Sequence, residues 1–99
     1  MLTVKQLHKI RRIFKKSGQV SKAWIFGSVA RNEETEQSDI DLLFVPDRTN
    51  KSFSLYDQIR IENQLKEALH KDVDLVVDGN LKDFIAPFVE KEKILIYEN

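Results

Sequence analysis

Apolar and polar residues alternate at two different spacings along the chain, and the spacing separates helices from strands. In the first segment the apolar residues recur every three or four positions and share one helical face: Val4, Leu7, Ile10, Ile13 and Phe14. Thr3 is a suitable N-cap and Gly18 a suitable stop, so we predict a helix that runs to Ser17.

A second helix is predicted from about Ser54 to His70, after a polar loop from Asp47 to Ser54. Its expected buried stripe is Leu55, Ile61, Leu65, Ala68 and Leu69, and the residues expected to face water are Arg60, Glu62 and Lys66. A further helix is predicted from Leu81, with Asn80 as a possible cap and Pro87 as a restart or kink.

Four extended segments are rich in β-branched and aromatic residues and are predicted to be strands: Val20 to Phe26, Asp39 to Val45 before Pro46, Asp72 to Val77, and a short edge strand from Ile94 to Tyr97. Trp24 in the first of these is interpreted as a core residue, with stacking on a ligand as the alternative.

The residues best suited to binding or catalysis lie between the end of the first predicted strand and the start of the second. Gly27 and Ser28 follow the first strand in a tight turn that opens a short helix to about Asn32. Such a turn lets the backbone approach a ligand, and the hydroxyl and helical amides offer donors to an anion. Asp39 and Asp41 are two residues apart, so they point to the same face of the second strand. Paired carboxylates favour a hard divalent cation, most simply Mg²⁺ with substrate phosphate among its ligands.

The third strand carries another acid of the same kind. Val73, Leu75 and Val77 take one face, and Asp72, Asp74 and Val76 take the other. If the second and third strands are neighbours, Asp74 completes a triad with Asp39 and Asp41, and Asp72 remains a solvated charge at the strand's entrance.

These motifs together resemble the nucleotidyltransferase superfamily that includes DNA polymerase beta and kanamycin nucleotidyltransferase. The stretch GSVARNEETEQSDIDLLF is similar to that of the minimal nucleotidyltransferase (MNT) proteins, and Val73-Asp74-Leu75-Val76 is similar to the strand that holds their third acid. Asn32 stands where the family often has Gly, and Asn tolerates left-handed backbone well. The resemblance covers nearly the whole chain.

The resemblance implies an α/β (α+β) fold, a small mixed sheet of three to four strands with helices packed on it, in a single domain of residues 1–99. It implies transfer of AMP from ATP, with Asp39, Asp41 and Asp74 as catalytic and metal-binding residues, commonly around two Mg²⁺ ions. Gly27 and Ser28 would hold the triphosphate. Arg31 would either reach the triphosphate or pair with a glutamate of the loop 33–37.

The composition excludes cysteine chemistry and indicates the cellular location and the kinds of partner to expect. The 99 residues include 16 basic and 16 acidic ones and no cysteine, which excludes disulfides and thiol catalysis. No apolar segment is long enough for a signal peptide or a membrane span, so we expect a cytoplasmic protein. The basic face of the first helix is either a solvated surface or a docking site for an acidic partner or RNA. Aromatic residues do not interleave with it, which disfavours direct nucleic-acid binding.

Members of the family that the chain resembles are commonly encoded beside a HEPN-domain toxin. The resemblance therefore implies an antitoxin that places AMP on a hydroxyl, such as a tyrosine, of a HEPN partner. Two alternatives remain at this point: a non-catalytic antitoxin that acts by binding, and a nucleotidyltransferase for a small molecule such as an aminoglycoside.

Overall fold

The computed structural model describes residues 2–47, 49 and 53–99, so part of the predicted loop from Asp47 to Ser54 lies outside the described residues. In chain order the elements are α1 (Val4–Ser17), β1 (Val20–Phe26), α2 (Gly27–Ala30), β2 (Ile40–Pro46), α3 (Leu55–Leu69), β3 (Val73–Val77), α4 (Ala86–Glu92) and β4 (Ile94–Glu98).

The four strands form one mixed sheet in the order β3-β2-β1-β4. β1 is antiparallel to both β2 and β4, whereas β2 and β3 are parallel. The predicted mixed sheet is therefore confirmed, and β4 is an edge strand as expected. β3 forms the opposite edge.

Helices α1 and α3 pack against each other and cover one face of the sheet. Strand residues at alternate positions supply that face with apolar side chains, because successive side chains of a strand point to opposite sides. The shared core contains, among others, Ile10, Phe14, Ile61 and Leu65 from the helices and Ala23, Ile25, Leu42, Phe44 and Leu75 from the strands. The intervening positions, which include Asp41 and Asp74, point to the other face.

The predicted caps of α1 are confirmed by its hydrogen bonds. The Gln6 backbone N–H donates to Thr3 Oγ1 at 3.1 Å, and the Thr3 backbone N–H donates to Gln6 Oε1 at 2.9 Å. Gly18 closes the helix in the left-handed conformation with φ +66°. Local residue chemistry alone therefore sets both ends of this helix.

The prediction of a helix from Leu81 capped by Asn80 is wrong. Residues 81–85 form bends and turns, and α4 begins at Ala86 with Pro87 in its first turn. Proline fits the start of a helix because its missing N–H needs no partner there. Pro87 thus begins the helix and does not kink one already formed.

Three side chains also differ from their predicted environment. Leu55 is 69% exposed although it was assigned to the buried stripe of α3, and Glu62 on the same helix makes a hydrogen bond to the sheet although it was assigned to water. Helical spacing identifies a face, but it does not show where along the helix the packing starts. Trp24 is only partly buried, and Lys93 Nζ lies 4.4 Å from its ring centroid.

Candidate active site

The turn after β1 brings backbone directly against an acidic side chain of β2. Gly27 has a φ of +76°, in the region that favours glycine, and a Cβ at this position would collide with the Asp41 carboxylate. Phe26, the last residue of β1, pairs with Asp41 across the antiparallel ladder. The sequence therefore needs glycine here for two reasons, the backbone conformation and the contact with Asp41.

Asp74 lies beside Asp41 on the neighbouring strand. β2 and β3 are adjacent and parallel, and Asp41 and Asp74 are partners in their register. Partners in a sheet point to the same face, which here is the face opposite α1 and α3. The sequence predicted a triad only if β2 and β3 are neighbours and Asp74 points to the same side as Asp41. The fold meets both requirements.

Asp39 precedes β2, which begins at Ile40, so this acid is exposed and is not a strand residue as predicted. Its charge nevertheless acts on Asp41. The pKa of Asp41 is raised from 3.8 to about 6, first by burial and then by the negative charges of Asp74 and Asp39, while Arg31 opposes the rise. The three predicted acids therefore share one electrostatic site centred on Asp41.

Within residues 2–47, 49 and 53–99, no three His, Cys, Asp or Glu side chains lie close enough together to hold a metal ion as they stand. The donor set still fits Mg²⁺, because all three candidates are carboxylates and Mg²⁺ prefers oxygen ligands. A divalent cation would also relieve the burial and repulsion that raise the pKa of Asp41. Asp41 and Asp74 are the pair aligned across β2 and β3.

Ser28 lies in the first turn of α2, next to the glycine. The amides at the start of a helix have no acceptor within the helix, so they can bind an anion from elsewhere. In this chain the Gly27 amide donates to the Glu92 carboxylate. Asn32 follows α2 with a positive φ of 62°, as its tolerance for that conformation allows. The bend at Gly27 and Ser28 is thus positioned beside Asp41 with donors typical of a phosphate site.

Arg31 is held by two glutamates. Its Nε donates to Glu33 Oε1 at 2.7 Å and its Nη1 donates to Glu92 Oε2 at 2.9 Å. The hydrogen bond to Glu92, followed by the one to Glu33, raises the pKa of Arg31 above its ordinary value. Of the two alternatives that the sequence left open for Arg31, the structure shows the pairing with a glutamate of the loop 33–37, namely Glu33.

Glu92 is the site residue that sequence reasoning missed. Besides binding Arg31, it accepts a hydrogen bond from the Gly27 backbone N–H at 3.0 Å through Oε1. Glu92 is the last residue of α4, more than sixty positions along the chain from Gly27. No local pattern distinguishes it from the other charges around it, so only the fold could place it here.

The sequence matches a known protein family, and the geometry of the candidate site is consistent with that family. Residues 8–99 match the family described as Polymerase beta, Nucleotidyltransferase. The chain therefore belongs to the polymerase beta-like nucleotidyltransferases, a class of enzymes, as its motifs implied.

Two relatives are similar to this chain over most of their length. The chain is 39% identical over 93 residues to MJ0128 of Methanocaldococcus jannaschii, a proposed protein adenylyltransferase, covering 92% of this chain and 89% of the relative. It is 33% identical over 100 residues to the protein adenylyltransferase MntA of Thermococcus cleftensis, covering 97% of this chain and 98% of the relative.

Solved structures show the same fold. A toxin-antitoxin crystal structure with AMP-PNP matches with a TM-score of 0.77 and 19% identity, covering 94% of this chain and 73% of that one. The tri-AMPylated HEPN toxin of Shewanella oneidensis in complex with its MNT antitoxin includes a chain that matches with a TM-score of 0.69 and 18% identity, covering 95% and 71%. Of the helices that the structure describes here, none has the length and apolar character to span a membrane.

Proposed function

We propose that this chain is a Mg²⁺-dependent protein adenylyltransferase that transfers AMP from ATP to a tyrosine hydroxyl of a HEPN-family toxin and thereby acts as a cytoplasmic antitoxin. The observation that carries the proposal is the alignment of Asp41 with Asp74 beside the Gly27 bend. The adenylyltransferase names of two relatives and the toxin complexes with the same fold support the choice of substrate and partner.

The reaction makes one bond at the α-phosphorus and breaks another. The acceptor oxygen attacks the α-phosphate of ATP, the bond to the β-phosphate breaks, and pyrophosphate leaves. Such chemistry asks a protein chiefly to position the reactants and to stabilise charge on oxygen atoms. Bound Mg²⁺ would supply positive charge to the phosphate oxygens and to the acids.

The position of each residue indicates its proposed role in the reaction. Asp39 and Asp41 would hold the metal that carries the triphosphate and would share a second metal with Asp74. The backbone at Gly27 and the Ser28 hydroxyl would bind the phosphates. Asp74 is exposed on the edge strand, where an incoming hydroxyl can reach it, so it would accept the proton of the acceptor. Arg31 would contribute charge to the triphosphate once it leaves its glutamate partners.

The exposure of Asp74 also supports a protein acceptor. The site lies at the surface of the sheet, at the edge strand β3, so a partner chain can bring its own hydroxyl to the acids. A large acceptor of this kind would contribute part of its own binding surface, which suits a chain that offers only a small sheet and four helices in its described part.

The test is the intact mass of a HEPN-family toxin produced together with this chain. We expect the toxin to gain one or more AMP groups with the unaltered chain and none with the Asp39→Asn/Asp41→Asn double variant. The matched control is Asp78→Asn/Asp83→Asn, which removes the same number of charges from exposed positions and should leave the modification intact. An unmodified toxin that is nevertheless neutralised would contradict the proposal and identify an antitoxin that acts by binding.

A further inference from the structure

A carboxylate of the chain itself occupies the donors at the Gly27 bend. Glu92 accepts from the Gly27 N–H through one oxygen, at 3.0 Å, and from Arg31 Nη1 through the other, at 2.9 Å. Its side chain is 19% exposed, whereas that of Arg31 is 49% exposed. Both carboxylate oxygens are thus engaged, and the contact joins the end of α4 to the bend between β1 and α2.

The two donors that Glu92 binds are of the kind that would bind phosphate. A backbone N–H at a glycine bend and a guanidinium are groups that proteins use to bind phosphate oxygens. A carboxylate presents two negatively charged oxygens with similar spacing and accepts the same hydrogen bonds. Glu92 therefore makes, from within the chain, the contacts that a phosphate group would make from outside.

Glu92 is also poorly placed for any purpose that needs only a stable helix. It is the last residue of α4, where the helix dipole disfavours negative charge. It adds a further negative charge to the surroundings of Asp41. Its hydrogen bonds to Gly27 and Arg31 are what offset these unfavourable interactions, and an external anion could replace it in both.

We propose that Glu92 is a built-in competitor for the phosphate site, bound to Gly27 and Arg31 in the nucleotide-free chain and displaced when a triphosphate binds. This inference rests on the proposed function, because it assumes that the bend at Gly27 and Arg31 receive the triphosphate. It assigns to Glu92 a regulatory part in nucleotide affinity. Glu92 lies at the end of α4 and belongs to no strand, so the pairing of the sheet does not depend on its side chain.

The expected effect of Glu92→Gln is tighter binding of phosphate compounds. Glutamine keeps the size of the side chain but loses its charge, so its contact with the guanidinium lacks the attraction between opposite charges that a carboxylate provides. It also no longer repels the incoming anion. We expect the affinity for AMP-PNP and for inorganic tripolyphosphate to rise about three- to tenfold.

The measurement is isothermal titration calorimetry at fixed ionic strength, with AMP-PNP in the presence of Mg²⁺ and with tripolyphosphate in the presence of a chelator. The matched control is Glu90→Gln on the same helix, which removes an equal charge from a residue that pairs with Lys93. Its affinities should equal those of the unaltered chain. Glu92→Ala serves as a second variant and should bind more tightly too, and thermal unfolding confirms that each variant is folded.

The outcomes separate this inference from the proposed function. Unchanged or weaker binding by both Glu92 variants, with measurable binding by the unaltered chain, would overturn the competitor role and show that Glu92 positions the bend. Absence of binding by every folded form, the Glu92 variants included, would overturn the proposed function together with this inference.

Discussion

At the scale of single residues, the central feature of the candidate site is the close contact between Asp41 and Gly27. Any side chain at position 27 would collide with the Asp41 carboxylate, which is partly buried beside two further acids. An ionised carboxylate in such a place is destabilising until a cation reaches it. In the metal-free chain the ionised form of Asp41 is therefore electrostatically unfavourable, and Asp41 is one of the residues expected to hold the metal.

This unfavourable ionisation makes the stability of the metal-free chain depend on pH. Asp41 has a pKa of about 6 in the folded chain against an ordinary value of 3.8, so between these values the folded state holds a proton that the unfolded state has lost. Stability should therefore fall as pH rises from about 4 through 6, with the full loss present above 6. Because Asp41 is only partly buried, solvent screening limits the loss to about 1 kcal/mol.

Asp41→Asn should remove this dependence. In urea unfolding with a chelator present, we expect the variant to be more stable than the unaltered chain at pH 7.5 and to show no such gain at pH 4. The control Asp72→Asn removes an exposed charge just before the neighbouring strand β3 and should give no comparable gain in stability at pH 7.5. An Asp41→Asn variant that is less stable at pH 7.5 would contradict the assigned cause.

At the scale of elements, α3 holds the edge strand that carries Asp74. Gln58 Nε2 donates to the Leu75 carbonyl oxygen at 2.8 Å, and the Leu75 N–H donates to Glu62 Oε1 at 3.0 Å. Both contacts satisfy backbone groups of β3, whose outer side has no neighbouring strand. Helix α3 thus fixes the position of Asp74 through the backbone of the next residue.

Glu62→Ala should therefore weaken both the fold and the site. Loss of the acceptor for a backbone N–H costs about 1–3 kcal/mol in the free energy of unfolding. We expect a loss in that range by urea unfolding and a slower AMP transfer to the toxin. Glu67→Ala on the exposed side of the same helix is the control and should change neither quantity appreciably. Equal effects of the two substitutions would show that Glu62 has no special part in holding β3.

The elements also show how far sequence reasoning extends. The caps of α1 and the strand Val73–Val77 were predictable because their signals are local: capping residues and alternation. The Asp41–Asp74 pairing followed once the strands were taken as neighbours. The start of α4 was one of the two alternatives offered for Pro87, because proline favours the first turn of a helix. The exposure of Leu55 and the contact of Glu92 with Gly27 could not be predicted, because they depend on packing between distant segments.

At the scale of the whole molecule, charge provides no general attraction for the substrate. The 16 basic and 16 acidic residues cancel. Near the bend where a triphosphate is expected, the negative charges of Asp39, Asp74 and Glu92 act on Asp41. Binding of the proposed ATP substrate would therefore depend on local groups, namely the bend at Gly27, Arg31 and a bound cation, and not on the overall field.

The most direct measurement compares two neighbouring aspartates. Purified chain, HEPN-family toxin, ATP and Mg²⁺ are mixed, and the rate at which AMP is added to the toxin is followed by mass spectrometry. Asp74→Asn should lower the rate about 100-fold or more, since Asp74 is proposed to accept the proton of the attacking hydroxyl. Asp72→Asn, an equal change two residues earlier, should transfer at the rate of the unaltered chain. Transfer by Asp74→Asn at an undiminished rate, or an equal loss in both variants, would contradict the catalytic site described above.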